Sequence, residues 1–120
     1  MLIRDAARLE SFTALDGCSI REIINPDRDQ TDPGLSLALA EVAPGRATRP
    51  HRLSFLEVYY ILEGQGLMHV DEEASPVGPG QAVYIPAGQS QWIENTGGLP
   101  LKFLCICHPG YKPEGDEAEA

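Results

Sequence analysis

Two stretches of the chain concentrate side chains able to do chemistry. The first is Gly45-Arg46-Ala47-Thr48-Arg49-Pro50-His51-Arg52-Leu53-Ser54-Phe55-Leu56-Glu57, continuing to Gly64. The second runs from Gly80 to Asn95 and holds Tyr84, Pro86, Gln91 and Trp92. Glu57 is the sharpest feature. It sits in the apolar run 55–62, and the two-residue period of a strand puts it on the face of Phe55, Tyr59 and Ile61. A carboxylate turned toward an apolar interior is costly unless a cation or hydrogen-bond donors meet it. With no cation there, desolvation raises its pKa, and Glu57 becomes a candidate catalytic general base. His51, just after Pro50, reads either as a ligand or as a polar residue at a strand start. Tyr59, Tyr84 and Phe103 are the expected walls of a substrate pocket. Arg49 and Arg52 flank His51 and either pair with an anionic substrate or stay solvated.

The other candidates have plainer readings. His69 shares a face with Leu67 and Asp71 and is placed toward solvent, and His108, beside Pro109, is placed in a surface turn. Cys105 and Cys107 share a face with Leu101 and Phe103 and read as small buried hydrophobes. Two residues apart in one strand, they make poor disulfide geometry. Tyr60 and Trp92 fall on the opposite parity from Glu57 and Gln91 and belong to an outer face.

These side chains must be held by short elements. Twelve glycines and ten prolines interrupt the chain too often for long helices. Between them lie runs rich in Val, Ile, Leu, Tyr and Phe, which predict strands over 18–24, 35–42, 55–62, 66–71, 81–85, 91–95 and 101–107. The class is all-β, a sandwich or barrel. Residues 6–10 suit one helical turn. Residues 114–120 carry four acids and no base and read as a frayed, flexible tail beyond a domain of residues 1–113. Several strands look apolar on both faces, Leu35-Ser36-Leu37-Ala38-Leu39-Ala40 among them, which predicts that an outer sheet face meets a second copy in a homodimer.

Composition sets outer bounds. Nine Lys plus Arg against eighteen Asp plus Glu give a formal charge of −9, the wrong sign for nucleic-acid phosphates or an anionic membrane surface. No apolar run approaches the roughly 20 residues of a spanning helix, and the N-terminus lacks the basic-then-apolar order of a signal peptide. Three cysteines with no CxxC pair argue against a disulfide scaffold or zinc ribbon and for a reducing, cytoplasmic setting.

The spacing of the two polar stretches resembles a known family. Gly45, five residues, His51, then Glu57, six residues, Gly64 is similar to the first signature of the cupins. Gly80, five residues, Pro86, Gly88, Gln91 and Asn95 is similar to the second. Asp16-Gly17 with Ile20-Arg21-Glu22 upstream, and Leu104-Cys105-Ile106-Cys107 with Pro109 and Tyr111 downstream, extend the likeness to small single-domain cupins over most of residues 1–116. The resemblance implies a single antiparallel β-barrel, or jelly roll, with a metal site at its mouth.

Carried over position by position, the resemblance makes His51 the first ligand, Glu57 the carboxylate and Gln91 the occupant of the last histidine position. Leu53 falls on the second histidine position and cannot ligate. The resulting N/O/O set suits Mn, Fe or Zn with open positions for substrate. The implied function is a small metal-binding cupin acting on or binding an oxygenated small molecule, as a metal-dependent dioxygenase or isomerase. The alternative is a non-catalytic ligand-binding cupin with a degenerate metal site.

Overall fold

A computed structural model describes residues 1–29 and 32–119. A 3-10 turn, Ala6–Arg8, is capped by Asp5, whose Oδ1 accepts the Ala7 N–H at 2.9 Å. Eleven strands follow: β1 Phe12–Thr13, β2 Ser19–Ile24, β3 Ser36–Val42, β4 His51–Leu53, β5 Leu56–Glu63, β6 Gly66–Val70, β7 Glu73–Val77, β8 Ala82–Ile85, β9 Ser90–Asn95, β10 Leu101–His108 and β11 Asp116–Ala118. They form two antiparallel sheets, ordered β1-β2-β3-β10-β5-β8 and β11-β4-β9-β6-β7. The two sheets face each other as a jelly roll, not as one closed ring of strands.

The seven strands expected from sequence are all present, with ends moved by a residue or so. The additional strands are short or poor in strand-forming residues. β7 is Glu73-Ala74-Ser75-Pro76-Val77, an exposed edge where proline is tolerated because no partner needs its missing N–H. Within residues 114–120, read from sequence as a solvated tail, Asp116–Ala118 form β11, and Ala120 lies outside the described residues. A second 3-10 turn, Pro113–Gly115, leads into a strand whose Asp116, Glu117 and Ala118 pair with Leu53, Arg52 and His51. The Glu119 N–H then reaches the Pro50 carbonyl at 3.0 Å. The acidic composition suggested solvation, yet the backbone of this segment is held by the edge of β4.

Alternation along the long strands divides inside from outside. Glu57, Tyr59 and Ile61 of β5, Leu101, Phe103, Cys105 and Cys107 of β10, and Gln91, Ile93 and Asn95 of β9 all point inward and are buried. A core of Ala40, Val42, Tyr59, Ile61, Met68, Ile85, Ile93, Leu101 and Phe103 fills the space between the sheets. Burying each large side chain there stabilises by about 1.5–3 kcal/mol. The β5–β6 turn depends on Gly64 at φ +90°, where an added Cβ would come within 2.7 Å of the Pro100 carbonyl oxygen. Among the described residues no helix is long and apolar enough to cross a membrane.

Candidate functional site

A cavity of about 250 Å³ lies inside the jelly roll. Its walls come from the Phe12–Asp16 segment, β2, β3, β4, β5, β10 and the Tyr111–Asp116 segment. Most of the surface is apolar, from Ile20, Ala38, Leu53 and the ring of Tyr59, with the three thiols of Cys18, Cys105 and Cys107. Four carboxyl side chains, Asp16, Glu22, Glu57 and Asp116, share the walls with a single imidazole, His51.

His51 opens β4 and is 6% exposed. Its Nδ1–H donates to Asp116 Oδ1 at 2.8 Å. The other oxygen of Asp116 accepts the Tyr111 hydroxyl at 2.5 Å, and the Tyr111 N–H is in turn held by Ser36 Oγ at 2.9 Å. This chain of bonds fixes the ring and its tautomer, leaving the lone pair on Nε2. That atom is buried and has no hydrogen-bond partner. Its nearest charged neighbour is Asp16 Oδ2 at 3.7 Å, too long for a hydrogen bond. Burial lowers the pKa of His51, but the Asp116 bond and the charges of Asp16, Asp116 and Glu57 outweigh it and raise the net value above that of a free imidazole. Burial raises Asp116, and the bonds from His51 and Tyr111 with the His51 charge more than reverse that, so it is held below the ordinary carboxylate range.

Asp16 is placed by a tight turn in which the Ala14 N–H reaches the Cys18 carbonyl and the Gly17 N–H the Ala14 carbonyl. Its Oδ1 accepts the Cys18 N–H at 3.1 Å, which points Oδ2 toward His51. Sequence reasoning noted Asp16 only as part of a resemblance and took Asp116 for a tail residue. Neither has a local signal, because each gains its role from a partner far along the chain.

Glu57 points inward from β5, as its parity predicts. Gln91 Nε2–H donates to Oε1 at 2.6 Å, and the Cys107 thiol donates to Oε2 at 3.3 Å. Burial pushes its pKa up to about 7, against the lowering effects of these two bonds and of His51. Cys107 and Cys105 are themselves raised, mainly by burial and then by the Glu57 charge, so both remain thiols. The three cysteines are free and buried.

The structure brings His51, Glu57 and Gln91 together, since His51 and Gln91 are paired across β4 and β9 and Gln91 reaches over to Glu57. It does not arrange them as ligands. Gln91 turns its amide N–H to Glu57 and, at 3.3 Å, to the Tyr59 hydroxyl, and an amide nitrogen does not ligate. Both Glu57 oxygens are committed to donors, and Leu53 adds nothing. Among the described residues no group of three His, Cys, Asp or Glu side chains is set to hold a metal ion. The residues present do not fit the expected Mn, Fe or Zn centre as they stand.

The pocket walls also need correction. Tyr59 lines the cavity, but Tyr84 pairs with Val58 on the outer face of its sheet, is 62% exposed and lines a separate open groove beside β7. Parity explains this, because Tyr84 follows Val83, which is the residue opposite Tyr59. Phe103 is fully buried and packs its ring against Tyr59 at 4.4 Å between centroids, supporting the wall from behind. Arg49 donates to the Leu15 carbonyl and Arg52 to Glu119 and the Gly88 carbonyl, so neither faces the cavity. His69 lies on the outer face as expected, stacked on Trp92 at 3.7 Å and bonded to Glu94. His108 is exposed and donates to the Gly34 carbonyl.

Comparison with known proteins agrees with this architecture. The chain is 39% identical over 113 residues to an uncharacterised protein of Methanocaldococcus jannaschii, covering 92% of this chain and 88% of that one. It is 34% identical over 70 residues to an oxalate-binding protein of Thermotoga maritima, covering 58% of each. Its fold superimposes on the polyketide cyclase RemF of Streptomyces resistomycificus with a TM-score of 0.84 at 22% identity, over 100% of this chain and 86% of that one. A family model described as Cupin domain matches residues 38–107, more than half of the chain, and on that match, in agreement with the jelly roll, the chain belongs to the cupin family.

Proposed function

We propose that this cupin binds a small, largely apolar molecule inside its barrel, with His51 as the group that exchanges a hydrogen bond or a proton with it. The observation that carries this reading is the buried, unpartnered Nε2 of an imidazole whose other nitrogen is pinned by Asp116. A buried polar atom without a partner costs free energy, which a ligand in the cavity offsets. Glu57, with a pKa near 7, is the second titratable group of the cavity and is suited to hold or give up a proton at neutral pH.

The oxygen or nitrogen function of the ligand therefore belongs at the His51 end, and its apolar body against Tyr59, Ala38 and Ile20. A divalent ion on His51, Glu57 and Gln91 is the other reading the sequence offers. It requires Gln91 to leave Glu57 and present its carbonyl.

The test is binding of an uncharged ring probe, benzyl alcohol, followed by calorimetry and by chemical shifts at Tyr59 and Cys105. Binding to the native protein that is lost in Ala38→Phe, which fills the cavity, supports the reading. Binding that survives Ala38→Phe, or perturbs only surface residues, overturns it.

The assembly proposed with this function is a homodimer formed through the outer face of the six-stranded sheet. Leu37, Leu39, Val58, Tyr60, Leu104 and Ile106 lie side by side there in register and are only half-covered by one another. Three free thiols are consistent with a reducing compartment such as the cytoplasm.

A further inference from the structure

The cavity walls carry more negative charge than the binding role alone explains. Asp16, Glu57 and Asp116 are buried there, and His51 is the one basic side chain among the described lining residues. Two of the three carboxyls have their partners inside the protein: Asp116 accepts from His51 and Tyr111, and Glu57 accepts from Gln91 and Cys107. Asp16 differs. Its Oδ1 accepts the Cys18 N–H, the buried Cys18 thiol lies beside the same carboxyl, and its Oδ2 faces His51 Nε2 across 3.7 Å. With the His51 proton on Nδ1, that gap lies between two acceptors, one of them the orphaned nitrogen of a side chain 6% exposed. A separation of 3.7 Å suits a single nitrogen that donates to both at ordinary hydrogen-bond length.

We propose that the cavity selects an apolar molecule bearing a protonated amine or amidine, seated between Asp16 Oδ2 and His51 Nε2, and that it rejects carboxylates. A cation there offsets the buried charge of Asp16, and its N–H bonds satisfy both acceptors. The Tyr59 and Tyr111 side chains line the same walls. No Arg or Lys is among the described lining residues, since Arg49 and Arg52 are bonded elsewhere, and the one imidazole, His51, is already bonded to Asp116 and faces Asp16. The selection is opposite to that of a cavity built for an anion such as oxalate. It rests on the ligand-binding reading above and names the ligand class of that same cavity.

The experiment compares three probes of one shape, benzylamine, benzyl alcohol and benzoate, by calorimetry on the full chain at about pH 8, where the amine is charged. Benzylamine is expected to bind most tightly and benzoate not at all. Asp16→Asn keeps the Oδ1 bond to Cys18 and removes the charge; it is expected to weaken benzylamine about tenfold, and benzyl alcohol by a clearly smaller factor because only the amine loses an ion pair. Benzoate binding as tightly as benzylamine in the native protein overturns the charge selection and leaves the cavity reading standing, whatever the variant does. An unchanged benzylamine affinity in a folded Asp16→Asn also overturns it. Failure of all three probes, benzyl alcohol included, overturns both readings.

Discussion

His51 and Asp116 are 65 residues apart in sequence, and their side chains meet at 2.8 Å in the wall of the cavity. The bond joins the first residue of β4 to the first residue of β11, so the strand that ends the described chain also orients the imidazole. Removing the charge with Asp116→Asn leaves a weaker bond and a less defined tautomer. The expected cost is about 1–3 kcal/mol of stability, and Tyr111→Phe is expected to cost about 1 kcal/mol. Urea denaturation measures both. Benzyl alcohol should bind Asp116→Asn more weakly than the native protein.

Glu57 makes stability depend on pH in a defined direction. Its pKa is raised from 4.5 to about 7 in the folded state, so the folded protein binds its proton more tightly than the unfolded chain. The contribution is fully present below pH 4.5 and is lost as pH rises to about 7, amounting to about 3 kcal/mol. His51, also raised, acts in the same direction, and Asp116, lowered, acts oppositely at the acid end. In Glu57→Gln the fall in the urea midpoint between mildly acid and mildly alkaline buffer should be much smaller than in the native protein. An equal fall in both would remove Glu57 as its source.

Metal content should follow the side chains present. Gln91 presents an N–H to Glu57, and Leu53 is apolar, so native protein dialysed against Mn, Fe or Zn is expected to hold well under one ion per chain. Leu53→His with Gln91→His supplies two further imidazoles beside His51 and is expected to bring the content close to one. Elemental analysis of the two proteins side by side measures the difference.

The outer face of the six-stranded sheet predicts the oligomeric state. Light scattering on the native chain should give the mass of a dimer. Leu104→Glu, which puts a charge beside Leu39 and Tyr60, should give a monomer without loss of benzyl alcohol binding.

What was legible in the sequence was whatever a strand's own alternation decides. Parity along β5 put Glu57, Tyr59 and Ile61 inside, and parity along β10 put both of its cysteines there. The glycine and proline spacing led to the right family, and through it to His51, Glu57 and Gln91 as neighbours. The remainder is set by contacts across the chain. Asp16 sits in an ordinary turn and Asp116 in an acidic segment, and only pairing with β4 and His51 makes either a wall of the cavity. Tyr84 failed as a wall by one step of parity. Gln91 lies where a ligand was expected, but its amide faces a carboxylate that attracts the N–H end.

The most direct test of the account is the nitrogen-15 spectrum of the His51 ring, recorded at a pH above its titration with and without benzylamine. The account predicts a proton on Nδ1, held by Asp116, and a bare Nε2 whose resonance moves strongly when the amine binds while Nδ1 moves little. A proton on Nε2 in the free protein, or an Nε2 resonance indifferent to a bound probe, would contradict it.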